Sequence, residues 1–153
     1  SLEHDLAVAL SRSGQADKAL VHFQKVLEHD PQDVGHLNDY AIALARLKQF
    51  DQAATILKRA LAIDDNDPNV YDTLARVATA QGKLDDARRY RRRLIALLPG
   101  DANAYNELGI ILARQEQLPE AIAQFSQAVA IDPSHQGAGE NLRQAREMLA
   151  NQP

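Results

Sequence analysis

Apolar residues recur along the chain every three to four residues, which is the spacing of amphipathic helices. Leu37, Tyr40, Ala41 and Leu44, for example, fall on one face of a helix, because three to four residues make one turn. Over the whole chain this pattern predicts eight helices in four consecutive pairs, at about 2–13, 16–29, 34–47, 50–63, 68–81, 84–97, 102–115 and 118–131. A further amphipathic helix is predicted at about 138–150, with Leu142, Ala145 and Leu149 on its buried side.

The pattern repeats with a period of 34 residues. The residues in register at this spacing are Ala19, Ala53, Ala87 and Ala121; Leu10, Leu44 and Leu112; Asp17, Asp51 and Asp85; and Pro31, Pro99 and Pro133. So many columns in register indicate repeats at about 1–33, 34–67, 68–101 and 102–135, followed by a polar-faced capping helix at 138–150. Because one helix pair cannot bury its apolar stripe alone, the repeats are expected to stack on a shared core.

Glycine, proline and aspartate mark the predicted turns. Gly14 and Gly82 stand where the first helix of a pair should end in a left-handed residue. Asp30-Pro31 and Asp132-Pro133 should end the second helix, because the residue before a proline is kept out of helical geometry.

One repeat carries a family signature. Its residues are Tyr105-x-x-Leu108-Gly109-x-x-Leu112, followed by Ala121-x-x-x-Phe125 and Pro133, and they resemble the tetratricopeptide pattern. The resemblance covers nearly the whole chain. It implies an all-α fold, a right-handed α-solenoid of four helix pairs plus the capping helix, with residues 1–153 as a single domain. It also implies that protein or peptide partners bind in a concave groove.

Composition narrows the function classes. The chain has 153 residues and a formal net charge of −4, which argues against a dedicated nucleic-acid binder. No run is long and apolar enough for a transmembrane helix, so no membrane insertion is expected. A soluble protein is therefore expected, and a cytoplasmic location is favoured over a periplasmic one. The helical pattern begins at the first residue, from which we expect the chain to be part of a longer protein.

Catalytic and metal-binding motifs are missing from the sequence. The histidines are His4, His22, His29, His36 and His135, and no two lie i, i+4 with an intervening glutamate. There is no cysteine, no Gly-rich phosphate loop and no nucleophile-elbow serine. We therefore expect no enzymatic activity, no metal and no cofactor.

The family resemblance implies which residues line the groove. Carried over position by position, the first helix of each repeat supplies Asn38, Ile42, Arg46, Asp72, Arg76, Asn106, Ile110 and Arg114. Asparagine side chains can bond the backbone of an extended peptide through both donor and acceptor groups, and arginines favour a carboxylate. An arginine in the last turn of a helix also complements the helix dipole without any ligand, so both interpretations of Arg46 and Arg114 stay open.

A second candidate surface is an arginine-rich stretch in the third repeat. Arg88, Arg89 and Arg92, with Arg91 and Arg93, surround Tyr90. They form either a site for an acidic partner or a solvated helix face whose long stems cover apolar surface, and the second is favoured.

The leading functional hypothesis is a scaffold that binds a protein or peptide in the concave groove. Two alternatives stay open: the chain is the non-catalytic arm of a larger transferase-type enzyme, or it self-associates through the uncapped N-terminal end.

Overall fold

The computed structural model describes all residues 1–153 and is entirely helical. Its helices are α1 (Leu2–Arg12), α2 (Ala16–His29), α3 (Val34–Arg46), α4 (Phe50–Ile63), α5 (Pro68–Ala80), α6 (Leu84–Leu97), α7 (Ala102–Arg114), α8 (Leu118–Ile131) and α9 (Gln136–Ala150). These bounds agree with the ranges predicted from hydrophobic periodicity to within two residues, so the prediction of paired helices is confirmed. None of the helices is both long enough and apolar enough to cross a membrane.

An aspartate caps the N-terminus of the first helix in three successive repeats. Asp33, Asp67 and Asp101 each accept a hydrogen bond from a backbone amide in the first turn of α3, α5 and α7. His135 occupies the same register before α9, where its Nδ1 accepts from the Ala138 amide at 3.1 Å. The first amides of a helix have no intrahelical partner, so these side chains satisfy groups that the helix leaves open.

The turn inside each repeat requires a left-handed residue. Gly14 and Gly82 have φ angles of +83° and +73°, which confirms the predicted role of these glycines. Lys48 and Glu116 occupy the same position in the second and fourth repeats, with φ angles of 59° and 61°. A side chain in this conformation costs about 1–2 kcal/mol, so these two turns are held by the packing of the helices around them.

The chain divides into two compact units, Ser1–Gln81 and Gly82–Pro153. In the first unit α1 packs against α2, α3 against α4, and α3 also against α5. Ala7, Ala19, Phe23 and Ala43 form a buried cluster there, in which an aromatic ring fills the space that the alanines leave. The helices of this unit therefore approach closely wherever a small residue stands in the repeat.

In the second unit, α7 packs against α8, and α9 packs against both. Leu108, Leu112, Ala121, Phe125 and Ala145 form its buried cluster. The expected burial of Leu149 is wrong, since this residue is 37% exposed, whereas Ala145 is buried as expected. The last turn of α9 extends past the cluster, which reaches along this helix only as far as Ala145.

Candidate functional site

A cavity of about 400 Å³ lies in the first unit. Its wall comes mainly from the first helices of three repeats, α1, α3 and α5, with one aromatic residue each from α2 and α4. The lining residues are Val8, Ser11, Arg12, Phe23, Asp39, Ile42, Ala45, Arg46, Phe50, Thr73, Arg76, Val77 and Ala80. Three of the predicted groove residues, Ile42, Arg46 and Arg76, are thus brought together in one concavity.

The chemistry of this cavity is an apolar floor with a basic rim. Arg12, Arg46 and Arg76 are all exposed, and Arg76 lies 3.9 Å from Asp72 one turn earlier on α5. The Asp39 carboxylate of the lining is engaged by His4, whose Nε2 lies 2.9 Å away. Three guanidinium groups against the two carboxylates of Asp39 and Asp72 leave an excess of positive charge at the rim.

Besides lining the cavity, Arg46 makes a hydrogen bond within the protein. Its Nη1 donates to the Ser11 carbonyl oxygen at 2.6 Å, so it satisfies a backbone acceptor at the C-terminal end of α1. A guanidinium carries five donors, so others remain available on this residue, which lines the cavity. Arg46 therefore joins α1 to α3 and contributes to the rim at the same time.

The structure places Asn38 and Asp72 outside the lining of the cavity. Asn38 is only 9% exposed, and its Oδ1 is buried without a hydrogen-bond partner, so the expectation that this amide faces a peptide does not agree with its position. α3 packs against α4 and α5 in this unit, which explains how a residue in the predicted outer row becomes covered. A pattern of polar residues indicates a helix face but does not tell which neighbour packs on it.

The second unit has a smaller concavity, of about 290 Å³, between α7, α8 and α9. Ile110 and Arg114 line it, together with Ala113, Leu118, Phe125, Asn141, Gln144, Ala145 and Met148. Asn106 lies outside it: this residue is 8% exposed, and its Oδ1 accepts from Asn141 Nδ2 at 2.9 Å. The Asn106 side chain thus joins α7 to α9 by a hydrogen bond, and its role in binding a peptide stays a prediction.

The arginine-rich stretch on α6 is largely paired within its own unit. Arg88 lies 3.1 Å from Asp85 and donates to Gln117 Oε1 at 3.2 Å. Arg89 pairs with Asp86 at 3.0 Å and lies over the Tyr90 ring. Arg92 is exposed. The neighbouring carboxylates offset much of the positive charge that the sequence suggests.

Arg91 differs from its neighbours because it is buried. It is 3% exposed, and its Nη2 lies 3.4 Å from Glu107 Oε2. Arg91 is therefore part neither of a surface site for an acidic partner nor of a solvated helix face. Position 91 is in register with Phe23, Leu57 and Phe125, all of which are buried. Its place in an apolar column was the signal in the sequence that Arg91 points inward.

A cluster that the motif search missed lies at the corner between α2 and α3. Asp30, Asp33 and His36 each offer one ligand atom, and these atoms all lie within 4.8 Å of one another. Beside it, hydrogen bonds from His22 and Lys25 hold the pKa of Glu3 below its ordinary value of 4.5. The sequence pattern of two histidines on one helix does not include this corner, because only one of the three residues is a histidine.

Family models and solved structures agree on the fold. Two models described as tetratricopeptide repeat match residues 10–77 and 73–135. The chain belongs to the tetratricopeptide repeat family. This confirms the family resemblance seen in the sequence and, with the all-helical structure, the predicted α-solenoid fold class. A search of curated proteins gave no match.

Several solved tetratricopeptide structures are similar to the chain. A crystal structure of MamA has a TM-score of 0.85 at 23% identity, with 93% of this chain and 83% of that chain covered. MamA from Desulfovibrio magneticus RS-1 has a TM-score of 0.79 at 24% identity, with 99% and 95% covered. YrrB, described as a TPR protein with an unusual peptide-binding site, has a TM-score of 0.78 at 23% identity, with 98% and 77% covered. At these identities the likeness concerns the fold.

Proposed function

We propose that this tetratricopeptide chain is a non-catalytic scaffold that binds a segment of a partner protein in the concavity of its first unit. The observation that carries the proposal is the lining of that cavity, in which apolar side chains such as Ile42 and Val77 lie beside Arg12, Arg46 and Arg76. YrrB, which has the same fold, is described as having a peptide-binding site, and this supports a peptide as the kind of ligand.

The lining selects for a particular chemistry in the partner. The apolar floor suits one aliphatic side chain, whose burial would supply about 1.5–3 kcal/mol. The three guanidinium groups suit carboxylates flanking that residue, through charge-assisted hydrogen bonds. We therefore expect a short acidic segment with an aliphatic anchor, bound with a Kd in the micromolar range, about −8 kcal/mol.

The experiment is a selection from a random peptide display library, followed by titration of the enriched peptides. Arg12→Glu combined with Arg76→Glu reverses the rim without touching the Arg46–Ser11 hydrogen bond, and it should weaken binding at least tenfold. Arg92→Glu is the matched control, because it makes the same change at an exposed arginine on α6 and should leave affinity unchanged. Enriched peptides without acidic residues, or equal losses in both variants, would refute the proposal.

Asn38 and Asn106 enter this proposal only as supports for the helices. Both are nearly buried, and Asn106 is bonded to Asn141. Ile110 and Arg114 line the smaller concavity of the second unit, which also combines apolar side chains with an arginine. Charge reversal at Arg114 should therefore leave the binding of short peptides to the first unit unchanged, which the same titration measures.

Self-association is a second candidate function, favoured by apolar side chains at the N-terminal end. Leu2 is 87% exposed, Val21 53% and Leu6 43%. Light scattering over a concentration series tests it, since a constant mass of 16.9 kDa would exclude assembly of this chain. A mass that rises with concentration and returns to the monomer in Leu6→Lys would support it.

A further inference from the structure

The corner between α2 and α3 gathers three potential metal ligands within a short stretch of chain. Asp30 is the C-cap of α2, Asp33 is the N-cap of α3, and His36 lies in the first turn of α3. Their ligand atoms lie within 4.8 Å of one another. Metal–ligand bonds of about 2.0–2.2 Å place the ligand atoms of one ion roughly 3–4.4 Å apart, so small side-chain rotations would close the set on a single ion.

The repeat itself shows which of the three residues is unusual. Asp30 is in register with Asp64 and Asp132, and Asp33 with Asp67 and Asp101, so the two aspartates are explained by turns and helix caps. His36 is in register with Leu2, which is exposed at the start of α1, and with three small apolar residues that are 0%, 1% and 0% exposed: Val70, Ala104 and Ala138. The imidazole thus stands where the three later helices of this register each have a buried apolar residue.

The ring nitrogen of His36 nearest to Asp33 lacks a hydrogen bond, although the side chain as a whole is 21% exposed. His36 Nδ1 is buried with no hydrogen-bond partner, and it lies 3.6 Å from Asp33 Oδ1. The same Asp33 oxygen already accepts from the His36 backbone amide at 2.7 Å. A buried imidazole nitrogen facing a carboxylate places two lone pairs opposite each other unless a proton or a cation lies between them.

The His36 ring is also held in place from the other side. The His4 ring packs against it with centroids 4.5 Å apart, and His4 Nε2 is itself fixed by Asp39 at 2.9 Å. An imidazole whose orientation is set by its neighbours loses little freedom when it becomes a ligand. His4 and Asp39 therefore act as supports for His36 and are not needed as ligands.

We propose that Asp30, Asp33 and His36 bind a divalent transition-metal ion of the Zn²⁺ type. One imidazole and two carboxylates form a ligand set that Zn²⁺, Co²⁺ and Ni²⁺ accept, whereas Mg²⁺ and Ca²⁺ favour oxygen ligands alone. Three protein ligands leave at least one position for water or for a group from a partner. The bound ion would join the end of α2 to the start of α3, and so fix the corner between the first two repeats.

The test uses the full chain without a histidine tag, stripped with EDTA and titrated with Zn²⁺ by calorimetry. We expect one ion per chain and a melting temperature that rises with Zn²⁺. His36→Val, which installs the residue found at position 70, should weaken binding at least tenfold. Asp30→Asn changes an exposed position, so it should also weaken binding at least tenfold without altering the circular dichroism spectrum. This second variant tests the proposal even if His36→Val does not fold.

The matched control is Asp64→Asn, which makes the same substitution at the end of α4, where Val70 replaces the histidine. It should leave Zn²⁺ binding unchanged. Visible absorption of the Co²⁺ form gives a second readout, because the ligand-field bands should change in Asp30→Asn and not in Asp64→Asn. Binding that survives His36→Val and Asp30→Asn, binding equally affected by Asp64→Asn, or equal affinity for Mg²⁺ would each overturn the proposal.

Discussion

Gly109 on α7 provides a sharp test of how the second unit is packed. A Cβ built at this position would lie 2.5, 2.6 and 2.9 Å from three atoms of the Phe125 ring. All three distances are shorter than real contacts allow, and Phe125 is 2% exposed within the buried cluster. We therefore predict that Gly109→Ala destabilises the protein, although the residue lies in the interior of a helix.

Two opposing effects set the magnitude. Replacing glycine by alanine inside a helix favours folding by about 1 kcal/mol. Forcing a methyl group into a filled core costs about 1–3 kcal/mol. Ala7 and Phe23 occupy the equivalent positions of the first repeat and are both buried, so the Phe125 ring has to shift from its present position to accept the methyl group. The net expectation is a loss of up to about 2 kcal/mol, whereas helix propensity alone predicts a gain of about 1 kcal/mol.

Urea unfolding followed by circular dichroism measures the difference. The second repeat supplies the matched control, because Ala41 and Leu57 occupy the equivalent positions and both are 0% exposed. Gly109→Ala with Phe125→Leu recreates that pair, so the double variant should be more stable than the sum of the single changes predicts, by about 1 kcal/mol or more. A stabilised Gly109→Ala variant, or strictly additive changes, would refute the packing argument.

Three further outcomes follow from the structure. Lys48→Gly should raise the unfolding free energy by about 0.5–1 kcal/mol, because the left-handed turn no longer strains a side chain, and an unchanged urea midpoint would contradict this. Arg91→Leu, which installs the residue of Leu57, should be neutral or stabilising, whereas Arg91→Ala should cost several kcal/mol in the same melts. The Ser134 hydroxyl and amide hold the pKa of Asp132 below its ordinary 3.8, so Ser134→Ala should raise it in a carboxyl NMR titration. Since that folded-state pKa is lowered, the stabilisation from Asp132 is present above pH 3.8 and is lost as the pH falls through the folded value.

Much of the candidate site could be predicted from the repeat. The exposure of the other residues could not be predicted, because it depends on how the helices pack. Ile42, Arg46 and Arg76 line the cavity of the first unit, and their role in binding a partner stays a prediction. Asn38 and Asn106 share an adjacent column but are nearly buried, and Asn106 is bonded to Asn141 of α9. The periodicity gives the face on which a residue lies, while its exposure depends on the neighbour that covers that face.

The sequence alone determined the elements, their order and the family of this protein. These properties depend on local spacing: 3.6 residues per helical turn, glycine or proline at the ends, and a period of 34 residues. Only the tertiary structure decided that Arg91 pairs with Glu107, that Arg46 bonds Ser11, and that Asp30, Asp33 and His36 meet at one corner. Those facts depend on which side chains of different helices come within a few ångströms, and the spacing along one helix carries no information about that distance.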